Sequence, residues 1–225
     1  MRVAVAAWLL ALFAAAAGAQ VAPSAAEKAA YAGLLAAAAR GDAAAIKSLV
    51  AGAKPDVRDG YGRTPLHVAA YGAHHEAMRA LVASGANPNA LENDRYDIVT
   101  IAAVANDLAT LKLSLALGTS AKNVTSRYDG TALIAAAHLG HAEVVHTLIA
   151  AGAPLDHVNN LGWTAVIEAI VLGDGGTRHT DTLKALIDAG ANLALPDRNG
   201  QSPLRLARSR GFTSMVQLLQ RAGAK

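Results

Sequence analysis

The chain has 225 residues, no cysteine and a formal net charge of +3, from 20 Lys and Arg against 17 Asp and Glu. The lack of cysteine excludes disulfides, thiolate chemistry and a lipid-modified N-terminal cysteine. The near balance of charge excludes a bulk nucleic-acid signature despite a pI near 9.3. Hydrophobic residues make up 53% and aromatic ones only 4%, so alanine carries much of the apolar content, as thin helices packed at short range require.

Arg2 and the uncharged apolar run from Val3 to Ala17 read as a secretory signal. Ala17-Gly18-Ala19 fits the small-x-small rule, which predicts cleavage after Ala19 and Gln20 as the first mature residue. The run is short for a membrane anchor, and no second apolar segment is long enough to span a membrane. A periplasmic location without a stable membrane anchor is therefore expected. Residues 20–30 are expected to form a loose lead-in.

From about residue 31 the chain repeats itself. One phrase opens at Thr64, Asp97, Thr131, Thr164 and Ser202, at steps of 33, 34, 33 and 38 residues. A period near 33 held through most of a chain marks a stacked-repeat solenoid. Near Gly33 a helix pair without a readable phrase (Leu34, Leu35, Gly41, Ile46, Leu49, Val50) is a candidate N-terminal cap. The clearest phrase follows, Thr64-Pro65-Leu66-His67-Val68-Ala69-Ala70. It starts with a hydroxyl cap and a proline suited to the first helical position. A second helix runs on with Met78, Leu81 and Val82 at helical spacing and ends at Gly85, a residue tolerant of positive φ.

The copy at Asp97 (Asp97-Ile98-Val99-Thr100-Ile101-Ala102-Ala103) lacks the threonine, the proline and the turn glycine. It is expected to be the weak joint of the stack. The pattern returns at Thr131-Ala132-Leu133, Thr164-Ala165-Val166 and Ser202-Pro203-Leu204. Repeats 1 to 6 are placed at about 31–57, 58–90, 91–124, 125–157, 158–195 and 196–225.

At these residues the chain resembles the ankyrin-repeat family, whose period and Thr-Pro-Leu-His signature it shares. The resemblance covers about residues 31–225. It implies an all-α solenoid of about six helix-turn-helix repeats, with β-hairpin-like fingers beside a concave surface. It also implies a non-catalytic monomer that binds another protein and needs no cofactor or metal. For exported bacterial members it implies an accessory to an exported enzyme, an inhibitor or immunity role, or a part in oxidative-stress defence.

The tips ahead of each phrase are the candidate partner surface. They align Tyr61, Arg63, Arg95, Tyr96, Arg127, Tyr128, Trp163 and Arg198. Four of the chain's seven Tyr and Trp residues fall there. Tyr, Trp and Arg are the residues most enriched at binding hot spots; the competing reading is that they pack against the next finger.

The 38-residue step reflects five extra residues between two helices, Asp174-Gly175-Gly176-Thr177-Arg178. The plain reading is a lengthened exposed turn. The sharper one is a recognition loop carrying Asp174, Arg178 and His179.

Eight histidines raise the alternative of an enzyme or a metal or cofactor carrier using His138, His141, His179 and Asp174. No spacing matches a zinc motif, and no nucleophile elbow is visible. His67 is instead expected to brace its own helix start, and the adjacent His74 and His75 to face apart.

Overall fold

The computed structural model describes residues 21–225, so the expected leader lies outside the described residues. Among these are thirteen α-helices. α1 (Ala25–Ala30) precedes six pairs. They are α2 (Gly33–Arg40) with α3 (Ala43–Leu49), α4 (Pro65–Tyr71) with α5 (His75–Ala83), and α6 (Ile98–Val104) with α7 (Leu108–Ala116). Next come α8 (Ala132–Leu139) with α9 (Ala142–Ala150), α10 (Ala165–Val171) with α11 (Thr177–Asp188), and α12 (Pro203–Ser209) with α13 (Thr213–Arg221). The expected all-α solenoid of about six helix-turn-helix repeats is present. No helix among the described residues is long and apolar enough to cross a membrane.

The repeated phrase starts each first helix for a physical reason. Thr64, Asp97, Thr131, Thr164 and Ser202 each accept, through the side chain, the amide three residues on. Such a cap contributes about 1 kcal/mol. Five residues past the cap stand Ala69, Ala102, Ala136, Ala169 and Ala207, all buried. These small residues let first helices pack side by side in the order α2, α4, α6, α8, α10, α12. The second helices form a parallel row behind them.

The copy at Asp97 keeps its cap. The Asp97 carboxylate accepts the Thr100 amide at 2.7 Å, the Thr100 hydroxyl at 2.8 Å and the Asn123 amide at 2.8 Å. Burial pushes this carboxyl up, and those bonds oppose it. Packing, rather than capping, sets this repeat apart. The hydrophobic core parts inside α6: Ile98 and Ile101 belong to the N-terminal cluster, Val99, Ala102 and Ala103 to the C-terminal one. In the second row α5 and α7 are the loosest neighbouring pair. A bond of 2.9 Å between His75 Nε2 and Thr110 Oγ1 spans that gap.

Two expectations need correction. The lead-in is not loose. Ser24 and Glu27 form a capping box, in which Ser24 N–H donates to the Glu27 carboxylate at 2.8 Å and Glu27 N–H to Ser24 Oγ at 3.2 Å. A six-residue helix does not persist alone; contacts to Arg63, described below, hold it. The insert is also more than a longer turn. α11 has 12 residues where the other second helices have 7 to 9, so the insert adds helix at its start.

Candidate functional site

Five short loops precede the first helices of repeats 2 to 6. Their bases are Asp59, Glu92, Ser126, Asn159 and Asp197. Asp59 N–H donates to Arg63 O at 3.1 Å, Glu92 to Tyr96 O at 3.1 Å, Asn159 to Trp163 O at 3.0 Å and Asp197 to Gln201 O at 3.0 Å. Side chains brace each loop from within. Asp59 Oδ1 accepts the Tyr61 and Arg63 amides, and Asn159 Oδ1 those of Leu161 and Trp163, at 2.9–3.0 Å. Burial pushes the Asp59 carboxyl up, but hydrogen bonds from Tyr31 and Arg63 and the loop amides outweigh it and hold the group low. The loops are therefore side-chain-braced turns. Thr125 and Gly130 form the one β-bridge among the described residues; the other fingers are closed by the single backbone bonds given above.

Neighbouring fingers are also joined. Asn93 N–H donates to Tyr61 O at 3.0 Å, Ser126 to Arg95 O at 3.2 Å and Asn160 to Tyr128 O at 2.9 Å.

The third residue past each base is left-handed: Gly62, Arg95, Asp129, Gly162 and Gly200, with φ of 73°, 68°, 53°, 84° and 70°. At Gly62 and Gly162 the reason is a close approach. A Cβ there would strike the side chain of Asn93 or Arg198 from the next finger. Arg95 and Asp129 take this conformation without being glycine, at a cost of about 1 kcal/mol each. The two residues pair with each other, Arg95 Nη1 lying 2.5 Å from Asp129 Oδ1. Arg127 pairs back with Asp94 of the previous finger. Ion pairs this exposed contribute only about 0–1 kcal/mol, which does not offset the backbone strain.

Arg63 departs from the expected row. It is 1% exposed and serves as an internal anchor. It donates to Asp59 Oδ2 at 2.7 Å, to Val21 O at 3.0 Å and to Glu27, while Tyr31 donates to Asp59 at 2.6 Å. These bonds tie the N-terminal segment to the first finger, and no surface is left for a partner. Tyr61 covers Arg63 with its ring at 4.5 Å and is itself 51% exposed. Arg95, Arg127 and Arg198 are exposed; Tyr96, Tyr128 and Trp163 are half-buried. Arg198 lies across Gly162 and donates to Asn160 O, so finger-to-finger packing holds for it too.

The insert is built around a strut. His179 Nδ1 lies 2.9 Å from Asp174 Oδ1, and Nε2 donates to His138 O at 2.9 Å. His179 is buried, which removes it from any recognition loop. Gly175 sits against the Phe212 ring; Asp174, Gly176, Thr177 and Arg178 are exposed. His141 Nδ1 donates to Ala103 O at 3.0 Å and His74 Nε2 to Ala39 O at 3.1 Å. His179 is thus bonded to Asp174 and to the backbone of His138, while His141 is engaged apart from them with Ala103. Among the described residues no three His, Asp or Glu side chains are grouped to hold a metal ion.

One residue escaped the sequence reading. Glu168 is buried at a position held by Val68, Ile101, Ala135 and Leu206 in the other repeats. Its Oε1 accepts Asn159 Nδ2 at 2.9 Å. Its Oε2 has no hydrogen-bond partner, and His138 Nδ1 lies 3.6 Å away. Burial pushes the carboxyl up to about 7 against the Asn159 bond. Burial, with His179 nearby, holds His138 below the usual imidazole range. An acid in an apolar register was the signal that could have found it.

The family profile described as "Ankyrin repeats (3 copies)" matches residues 34–113 and 99–197, and a second ankyrin-repeat profile matches 177–220. The chain is 34% identical over 192 residues to the putative ankyrin repeat protein YahD of Escherichia coli strain K12, covering 84% of this chain and 95% of that one. It is similar in structure to an ankyrin repeat domain from Acinetobacter baumannii AYE, at 43% identity and a TM-score of 0.79, covering 85% of this chain and 98% of that one. The ankyrin repeat domain of Bcl-3 matches at 28% identity and a TM-score of 0.77, covering 87% of this chain and 88% of that one.

Proposed function

Because the chain belongs to the ankyrin-repeat family, we propose that it is a non-catalytic module that binds a protein partner through its finger row. Ankyrin repeats typically mediate protein–protein interactions. The centre of the surface is the pair of fingers bearing Arg95, Tyr96, Arg127 and Tyr128. One observation carries this reading: Arg95 and Asp129 occupy left-handed positions where three other fingers use glycine. Strain kept at an exposed charged pair points to use rather than stability. Bonds between fingers hold the surface in place before a partner arrives, which limits the ordering entropy lost on binding.

The test starts from a photo-cross-linker at Tyr128 in the full chain, used to capture and identify the partner. The variant Arg95→Gly/Asp129→Gly keeps the turns and removes the charges. It should raise stability by about 1 kcal/mol and weaken partner binding by about tenfold. Unchanged binding by that variant, together with full binding by Tyr61→Ala/Tyr128→Ala/Trp163→Ala, overturns the reading. The proposed setting is the periplasm, reached by a leader cleaved after Ala19. Mass spectrometry of the periplasmic fraction should find a chain starting at Gln20; a chain retaining residues 1–19 contradicts this.

A further inference from the structure

The face of a first helix that meets the next repeat is uniformly buried in repeats 2 to 5. Three and six residues past the cap stand His67 and Ala70, Thr100 and Ala103, Ile134 and Ala137, and Ile167 and Ile170. None of these is more than 5% exposed. In repeat 6 the same positions are Arg205 and Arg208, and both are exposed. Ser202 Oγ donates to Lys225 O at 3.1 Å, which brings Lys225 beside the start of α12. Arg205, Arg208 and Lys225 enter no ion pair among the described residues. The arginines of the earlier fingers do: Arg63, Arg95 and Arg127 are each paired with a carboxylate.

Charge along the sequence sharpens the contrast. Residues 128–177 contain five Asp or Glu and no Lys or Arg. Residues 196–225 contain six Lys or Arg against Asp197 alone, a net of +5 where the whole chain carries +3. The basic character of the protein is thus concentrated in its last repeat, where Arg205, Arg208 and Lys225 meet no carboxylate.

We propose that this end face docks an acidic surface of the protein partner, with Arg205 and Arg208 taking its carboxylates. The proposal rests on the protein-binding reading of the finger row and adds the chemistry of the partner. Arginine's planar fork suits bidentate carboxylate contacts. Unpaired charge also steers a complementary partner and speeds encounter. The neighbouring acidic stretch in repeats 4 and 5 would repel an extended polyanion or an anionic membrane plane, so a compact acidic protein patch fits better than either.

The test uses the full chain and an oligoglutamate peptide, followed by NMR of the arginine side-chain Nε–H signals. The peptide should shift the Arg205 and Arg208 signals first, and added salt should weaken it. Arg205→Glu/Arg208→Glu should weaken binding by about tenfold, with an unchanged melting temperature because both side chains are exposed. Arg205→Ala/Arg208→Ala should lie between. Tyr61→Ala/Tyr128→Ala/Trp163→Ala should leave peptide binding intact, so that a failure of the finger row and a failure of the end face read out separately. Oligoglutamate that leaves the two signals unmoved overturns the proposal. So does tighter binding of phosphatidylglycerol vesicles or of a DNA oligonucleotide through the same arginines.

Discussion

Repeats 2 and 5 each bury one ionisable side chain at nearly the same point of the first helix, and they treat it in opposite ways. His67 is satisfied on both sides. Its Nδ1 lies 3.1 Å from Thr64 N and 2.8 Å from Thr64 Oγ1, and its Nε2 donates to Tyr96 O at 3.1 Å. Burial drives this imidazole down to about 4, so the bonded neutral ring is the native species. Glu168 has one bond and one orphaned oxygen, and burial drives it up to about 7. The same desolvation makes one repeat sensitive to acid and the other to base. A buried polar group is an asset when its partners come from the next repeat and a liability when they do not.

The largest test breaks the satisfied side. His67→Ala should cost about 3 kcal/mol at pH 7, as measured by urea unfolding. The native ring titrates at about 4 and an unfolded one at 6.5, so its contribution is present above pH 6.5 and is lost as pH falls through 4. The cost of the substitution should shrink in that window.

Glu168→Gln tests the other side and should stabilise by about 1–3 kcal/mol above pH 7. The native carboxyl sits at about 7 and the unfolded one at 4.5. The stability that depends on its protonated form is complete below 4.5 and is lost as pH rises through 7, so the benefit of the variant should vanish in acid. Between about pH 4.5 and 6.5 the two slopes oppose in the parent chain, and each variant should tilt the profile in its own direction. A parent and two variants with parallel pH profiles would refute the comparison.

Hydrogen exchange sharpens it by location. Residues 91–124 should exchange fastest among the internal repeats, with local opening about 1–2 kcal/mol easier than at the joint of repeats 4 and 5. Uniform protection across 58–195 would contradict the divided core in α6. The smallest effect isolates a single bond. Asn159→Ser keeps a short acceptor for its finger, as Ser126 does, and removes the donor to Glu168. It should cost about 1 kcal/mol above pH 7 and less in acid.

The repeats were plainly written in the chain because their determinants are local. A cap, a proline, a small residue and a terminal glycine each act within a few positions. What escaped notice is non-local. Arg63 looked like a finger arginine because its partners Glu27 and Val21 lie 36 and 42 residues upstream. The strain at Arg95 went unread because left-handed turns are read from glycine, and here a charged residue bears it. His179 looked like part of a loop because its acceptor, the His138 carbonyl, comes from the preceding repeat. The capping box at Ser24 and Glu27, by contrast, was legible in four residues and passed over.

The histidines at the repeat boundaries have a use beyond holding helices together. A carbonyl oxygen only accepts, so the ring nitrogen facing it must carry the proton. His74 is thereby fixed as the Nε2–H tautomer and His141 as Nδ1–H. An imidazole released into water relaxes to a mixture of both forms. Nitrogen chemical shifts of these two rings therefore act as gauges set into the chain, each reporting whether its own boundary is closed.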